Sequence, residues 1–169
     1  MGFLLYGVIG DAAVLAGLRH PTMHPMQTLG CGLGVCLVRT ELAEDEPQAA
    51  LSDDLAYLTE PVAGYARTLS ERTPVIYVAA DFFGGVGDQA ACGWSGGQLA
   101  FGPLHSHHDE PPHPARGLFR RPRTPTGAID EALAWLGVAR PRRTDRFAAV
   151  GLDARHDWEH EWLEGGAAR

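Results

Sequence analysis

Apolar runs separated by turn signals predict β-strands in two parts of the chain. Near the N-terminus, residues 3–9 and residues 33–40 are rich in strand-forming side chains, and glycines border both runs. Further along, residues 75–83 (VIYVAADFF) have the clearest strand pattern of the sequence. Residues 90–94 and 98–101 flank Ser-Gly-Gly, which is typical of a hairpin turn.

Apolar residues at spacings of three and four predict helices between these runs and after them. Residues 47–57 begin at a proline, which favours the first turn of a helix, and residues 61–72 repeat the helical spacing. A third helix is predicted over residues 128–136, where Gly137 is a stop signal, and a fourth over residues 153–163.

The order of these elements predicts an α+β fold. We expect a single domain over residues 1–169, with a mixed or antiparallel sheet and helices packed on one face. Residues 103–126 are rich in proline and histidine and predict a long loop, and residues 164–169 predict a frayed tail.

The chain is acidic, and its carboxylates are concentrated in one segment. Its 14 basic residues are all arginine, and the formal net charge is −7. A charge of this sign repels nucleic acid and anionic membranes, so we expect neither as a partner. Residues 41–60 contain no arginine and indicate a surface for a basic protein partner, or else a solvated face without a partner. The carboxylates of this segment are Glu41, Glu44, Asp45, Glu46, Asp53, Asp54 and Glu60.

The cysteines and the hydropathy of the sequence indicate in which cellular compartment the protein is located. Cys31, Cys36 and Cys92 are odd in number and form no CxxC pair, which argues against a disulfide framework. The apolar N-terminal run lacks a basic region and is interrupted by Gly7 and Gly10. No run of about 18 apolar residues could span a membrane. We therefore expect a cytoplasmic protein.

A histidine-rich stretch, LHSHHDEPPH, is the strongest candidate for metal chemistry. Imidazole and carboxylate groups suit zinc and other transition metals. A second pair of histidines has the i, i+4 spacing of metal ligands in the predicted last helix. The alternative is that all of these side chains are solvated. The candidate ligands are His105, His107, His108, His113, His156 and His160.

A glycine-rich connection, FFGGVGDQ, follows the clearest strand but matches no phosphate-binding pattern. We interpret it as a tight strand connection. Polar and aromatic residues around it could bind a partner, or else stabilise the fold. The candidate binding residues are Asp81, Phe83, Asp88, Gln89 and Trp94. A small-molecule pocket lined by Phe82, Phe83, Trp94 and Phe101 is a further alternative.

The second half of the chain resembles a family of small, acidic actinobacterial proteins. The resemblance rests on the run YVAADFFGGVGDQAACGWSGGQLAFGP and on AIDEALAWLGVARPRRTDRFAAVGLDARHDWEHEW. It implies neither an activity nor catalytic residues. In style, these proteins are similar to immunity proteins, which neutralise a toxin by binding it.

These observations lead to three hypotheses, and none assigns a catalytic residue. The first is a non-enzymatic protein-binding module, immunity- or antitoxin-like, that acts through its acidic surface and uses no cofactor. The second is a histidine-rich metal-binding protein or metal-dependent enzyme, with zinc or another transition metal bound. The third is an accessory protein that binds a small molecule.

Overall fold

The computed structural model describes residues 2–83, 86–108, 127–142 and 144–154. This part of the chain forms six strands, five α-helices and one 3₁₀ turn. The strands are β1 (Gly2–Asp11), β2 (Gln27–Thr28), β3 (Leu33–Leu37), β4 (Val75–Phe83), β5 (Val86–Ser95) and β6 (Gln98–His108). The helices are α1 (Ala12–Ala16), α2 (Thr40–Ala43), α3 (Glu60–Ser70), α4 (Ala128–Trp135) and α5 (Arg146–Ala149), with a 3₁₀ turn at Leu152–Ala154.

The strands form one six-stranded antiparallel sheet in the order β2-β3-β1-β4-β5-β6. The predicted α+β fold is therefore confirmed, and its antiparallel form is the one observed. Strand β1 lies between β3 and β4, so the connection from β3 to β4 crosses over β1. None of the described helices is long and apolar enough to cross a membrane.

Both faces of the sheet are covered, because alternate residues of the central strands enter different cores. In β4, Val75 and Tyr77 belong to one core, and Ile76 and Val78 belong to the other. This is the period of two expected for a strand that is buried on both sides. We call the side of Tyr77 the first face and the side of Ile76 the second face. Helices lie on both faces, so the prediction that they pack on one face was wrong.

Helices α4 and α5 close the second face. Ile129 and Leu133 of α4 are fully buried there, and burial of each such side chain contributes about 1.5–3 kcal/mol. Helix α4 ends at Trp135, Leu136 is its C-cap residue, and Gly137 follows with a φ of 89°, as its predicted stop signal requires. Asp130 in α4 also accepts hydrogen bonds from the backbone N–H and the guanidinium of Arg146, at 2.7 and 2.9 Å.

Helix α3 and the chain before it cover the first face. Thr59 caps α3 by accepting a hydrogen bond from the N–H of Val62, and Pro61 occupies the first turn. Val62 and Leu69 face the sheet from this helix and are buried. The prediction of a helix over residues 61–72 is confirmed, with bounds shifted by one or two residues.

Residues 47–57 are not helical, contrary to the sequence prediction. The ends of this stretch are joined instead: Ala49 N–H donates to the Leu58 carbonyl at 2.8 Å, and Gln48 forms a bridge with Thr59. Inside it, Ser52 and Asp54 hydrogen-bond to each other, and such local bonds compete with helix formation. The segment is thus a closed surface loop, with both ends held together.

Strands β4, β5 and β6 form two hairpins, in which β5 and β6 are longer than the sequence predicts. Strands β4 and β5 pair as far as Phe83 and Val86, which agrees with a tight strand connection. The second hairpin turns at Gly96 and Gly97, both with positive φ. Strand β6 runs to His108, so the predicted loop over residues 103–126 was wrong for its first part. The rest of that loop, the predicted tail and most of the predicted last helix lie outside the described residues.

Candidate functional site

Asp88 on β5 is the meeting point of two histidines from β6. His107 is its register partner, and His105 lies two residues away on the same side of the strand. Their Nδ1 and Nε2 atoms lie 2.9 and 2.8 Å from the same oxygen, Asp88 Oδ1. A carboxylate only accepts hydrogen bonds, so both nitrogens donate. The hydrogen bond from His107, followed by that from His105, lowers the pKa of Asp88 below its ordinary value.

Two further candidate residues lie on the same open end of the first face. Asp81 on β4 is the register partner of Asp88 and is exposed. Two carboxylates opposite each other on neighbouring strands repel, and the hydrogen bonds that the two histidines donate to Asp88 offset part of this repulsion. Phe83 follows on the same side and is 77% exposed, the most exposed of the large hydrophobic residues described. This end of the sheet is a polar, solvated surface with one exposed aromatic ring.

The remaining described candidates have structural contacts. Gln89 lies on the second face, where its side-chain oxygen accepts from the N–H of Ile129 at the start of α4. Trp94 is 2% exposed and lies in the core of the first face. His108 is on the opposite side of β6 from His107, and its ring packs edge-on against Phe82. The structure therefore does not bring these three together with Asp88.

The predicted metal site is only partly within the described chain. His113, His156 and His160 lie outside the described residues. Among the residues that are described, no three histidine, cysteine, aspartate or glutamate side chains are arranged to hold a metal ion. The Nε2 atom of His105 and the Nδ1 atom of His107 are both engaged with Asp88. The predicted transition-metal site, which also includes His113, His156 and His160, therefore stays a prediction.

The aromatic pocket suggested by the sequence does not form. Trp94 belongs to the core of the first face, whereas Phe82 and Phe101 pack against the core of the second. Phe101 instead contacts Trp135 of α4, with ring centroids 5.6 Å apart. Since the sheet separates these side chains, they cannot line one cavity.

An open groove lies on the first face, between β1 and the closed loop. Its volume is about 560 Å³. Tyr6 of β1 and Tyr57 of the loop contribute the aromatic part, with ring centroids 4.8 Å apart and planes at 62°. Glu44 and Asp53 contribute carboxylates to the same groove. The sequence pointed to the two acids but not to the tyrosines, since nothing in it indicated how the loop folds.

The acidic segment supplies every described lining residue of this groove except Tyr6, and most of its carboxylates have no arginine partner within the described chain. All seven carboxylates of residues 41–60 are exposed. In the part of the chain that the structure describes, only Glu60 among them is paired with an arginine, at 3.2 Å from Arg67. Leu42 and Leu51 are also exposed within the segment, at 44% and 36%. The surface therefore combines negative charge with accessible apolar groups.

The loop is held in its shape by one hydrogen bond from the sheet and by an unusual backbone conformation. Tyr77 is fully buried, and its hydroxyl donates to the Ala56 carbonyl at 2.6 Å. Burial is the main reason why the pKa of Tyr77 lies well above its ordinary value, so the hydroxyl stays a donor. Tyr57 has a φ of 60°, a conformation that costs a non-glycine residue roughly 1–3 kcal/mol. The strained residue, Tyr57, lies at the edge of the groove.

Two of the three cysteines are buried, and neither of these two is an activated nucleophile. Cys92 is buried, and burial raises the pKa of its thiol to about 12. Burial likewise raises the pKa of Cys36, which accepts a hydrogen bond from the Tyr65 hydroxyl at 3.4 Å. Thiolates are the reactive form of cysteine, so both groups are inert at neutral pH. Cys31 is exposed and forms no disulfide.

Comparison of the chain with protein-family models, with curated proteins and with solved structures finds no match. The groove, the charge around it and the polar cluster at Asp88 are therefore the features from which a function can be inferred.

Proposed function

We propose that the protein is a non-enzymatic binding module for a basic protein and that it binds a cationic segment of its partner in the groove lined by Tyr6 and Tyr57. The observation that carries this proposal is the position of the groove within the acidic segment. A concave site with aromatic walls and two carboxylates has the features of a pocket for a lysine or arginine side chain.

The aromatic and acidic parts of the groove have different roles in this proposal. The ring faces of Tyr6 and Tyr57 attract a guanidinium or ammonium group, which is worth about 0.5–1 kcal/mol at an exposed site. Glu44 and Asp53 supply the ion pairs. The other exposed carboxylates add a long-range field, which increases the rate of association with a cation.

An immunity- or antitoxin-like role is the most specific version of this function. A toxin with a basic active surface would be drawn to residues 41–60 and covered there. This version predicts rapid association that slows as salt is added, because charges separated by more than about 8–10 Å are screened at physiological ionic strength. Association rates that do not depend on salt would contradict it.

The first experiment measures binding of an oligo-arginine peptide by calorimetry, with an oligo-glutamate peptide of equal length as the comparison. We expect binding of the arginine peptide only. The variant Glu44→Gln should weaken it about twofold to fivefold, since a surface ion pair contributes at most about 1 kcal/mol. Glu71→Gln is the matched control, because Glu71 is an exposed carboxylate at the far end of α3. Equal effects of the two variants would refute a specific groove.

A second variant separates the ring of Tyr57 from its backbone. Asparagine tolerates a positive φ better than tyrosine, so Tyr57→Asn should fold well while it loses the aromatic wall. We expect weaker binding of the arginine peptide. Cys31→Asn is the control, since Cys31 has a φ of 61° but does not line the groove. Unchanged binding by Tyr57→Asn would remove the tyrosine from the proposal.

A further inference from the structure

A second cavity on the first face has the opposite electrostatic character from the groove. It has a volume of about 270 Å³ and lies among α1, the chain that follows it, β3 and α3. Among the residues that the structure describes, four basic side chains line it, and no aspartate or glutamate does. These side chains are Arg19, His20, His24 and Arg39. Such a concentration of basic groups stands out in a chain with a net charge of −7.

Arg39 supplies the observation that points to a ligand. Its Nε is buried and has no hydrogen-bond partner within the described part of the chain. A buried donor without an acceptor costs free energy, and the cost is larger for a charged group. Solvent does not reach the Nε atom itself, so an anion in the cavity would pair with the rest of the guanidinium and offset the charge that this burial leaves uncompensated. A carboxylate can bind the guanidinium fork with two parallel hydrogen bonds.

The polar wall beside Arg39 is held in place before any ligand binds. The Nδ1 atom of His20 accepts from the backbone N–H of Thr22 at 3.3 Å and lies 2.8 Å from its hydroxyl. The neutral ring must then carry its proton on Nε2, which is a donor. The ring also packs against Tyr65, whose hydroxyl donates to the Leu18 carbonyl at 3.1 Å.

The other wall of the cavity is apolar. Leu15, Leu18, Met23 and Met26 line it, and methionine side chains adapt to ligands of different shape. A volume slightly below the usual range for ligand sites, about 300–1,000 Å³, limits the occupant to a small molecule.

From these features we propose that the cavity binds a small organic carboxylate, with its charged group at Arg39 and a short apolar chain against Leu15, Leu18 and the two methionines. This site is independent of the groove at Tyr57. It differs in charge and does not share a lining residue with it.

The test uses hexanoate as the probe, with hexanol as its neutral analogue and inorganic phosphate as an anion without an apolar chain. Binding is measured by calorimetry and by changes in backbone amide chemical shifts. We expect hexanoate to shift amides around Met23 and Met26 and to bind at least about tenfold more tightly than hexanol, because only the carboxylate meets Arg39. Phosphate should bind more weakly than hexanoate.

The variant Arg39→Gln should weaken hexanoate binding by about tenfold or more, whereas Arg72→Gln, at an exposed arginine outside the cavity, should have no effect. If Arg39→Gln does not fold, as judged by its amide spectrum, Arg19→Gln replaces it at an exposed position and should weaken binding severalfold. Equal binding of hexanoate and hexanol would overturn the proposal. So would tighter binding of phosphate, absence of binding, or an intact affinity in the folded variant.

Discussion

The two faces of the sheet are covered in different ways. On the second face, α4 and α5 pack directly on the strands, and the buried ion pair of Asp130 with Arg146 joins them. On the first face, α3 covers one part, and a nonhelical loop anchored by the Tyr77 hydroxyl covers another. Both the groove and the basic cavity lie on this first face.

This difference suggests that the second face mainly stabilises the protein, whereas the first face can also bind ligands. A helix buries a continuous apolar stripe and leaves little space above a sheet. The closed loop leaves the groove beside it, and the nonhelical chain after α1 lines the basic cavity. Loops positioned by a rigid scaffold often carry function. We therefore expect substitutions on the second face to affect mainly stability, and those on the first face to affect binding as well.

The largest expected effect is at the ion pair of the second face. The side chain of Asp130 is 7% exposed and that of Arg146 is 19% exposed. Asp130→Ala would remove the only described carboxylate that pairs with the Arg146 guanidinium and leave it the Val138 carbonyl, so the free energy of unfolding should fall by about 3–5 kcal/mol. Chemical denaturation measures this change. Binding of the oligo-arginine peptide under native conditions should not change.

The exposed ion pair of α3 provides the comparison for this variant. Arg67 and Glu60 have side chains 47% and 49% exposed. Arg67→Ala should therefore lower stability by less than about 1 kcal/mol. If Asp130→Ala and Arg67→Ala had similar costs, the second face would not be the more tightly closed of the two.

The next effect is at the anchor of the loop. Tyr77→Phe keeps the ring but leaves the Ala56 carbonyl without its hydrogen bond, which should cost about 1–3 kcal/mol. The loop should also open more often, so hydrogen exchange at the Ala49 amide should become faster. Binding of the arginine peptide should weaken. Tyr65→Phe is the control, because it loses a hydroxyl elsewhere on the same face. An equal loss of peptide binding in both variants would contradict a specific anchor.

Packing against the second face can be tested with two glycines. A Cβ at Gly93 would lie 2.8 Å from the ring of Trp135, so Gly93→Ala should cost about 1–3 kcal/mol. A Cβ at Gly64 in α3 would meet no neighbouring atom within 4 Å, so Gly64→Ala should stabilise the protein by about 0.5–1 kcal/mol. Thermal unfolding of both variants gives the comparison, and a neutral Gly93→Ala would indicate a loosely packed second face.

Most of the sheet could be predicted because its strands have strong local signals. The apolar run of β4 matches its predicted bounds, and the Gly-Gly turn places β5 beside β6. The loop before α3 could not be predicted in this way. Its spacing of apolar residues is that of a helix, but Leu55 and Leu58 are buried by the loop closure between Ala49 and Leu58. Such a tertiary contact has no signature in a short window of sequence.

The histidine-rich stretch could be predicted only as a place of interest. The sequence grouped His105, His107 and His108 as possible ligands of one metal. In the fold, strand β6 alternates, so His107 faces Asp88 and His108 faces Phe82. The partner Asp88 lies on the neighbouring strand, and only the register of β5 and β6 brings it near the histidines.

The smallest expected effect is at this Asp88 cluster, which is solvated and lies at the open end of the first face. The bonds from His107 and His105 lower the pKa of Asp88, so the folded state binds the Asp88 proton less tightly than the unfolded chain does. The resulting stabilisation is fully present above the ordinary carboxyl pKa of about 3.9, and it is lost as the pH falls through the lower pKa of the folded state.

Replacement of both His105 and His107 by alanine should return the pKa of Asp88 towards its ordinary value. An NMR titration of the Asp88 carboxyl carbon measures this shift. His108→Ala, on the opposite side of the same strand, should leave the pKa unchanged, because His108 contacts Phe82 and not Asp88. If His108→Ala raised the pKa as much as the double variant, the effect would come from the strand as a whole. The face of the sheet on which a histidine of β6 lies would then not decide its effect on the pKa of Asp88.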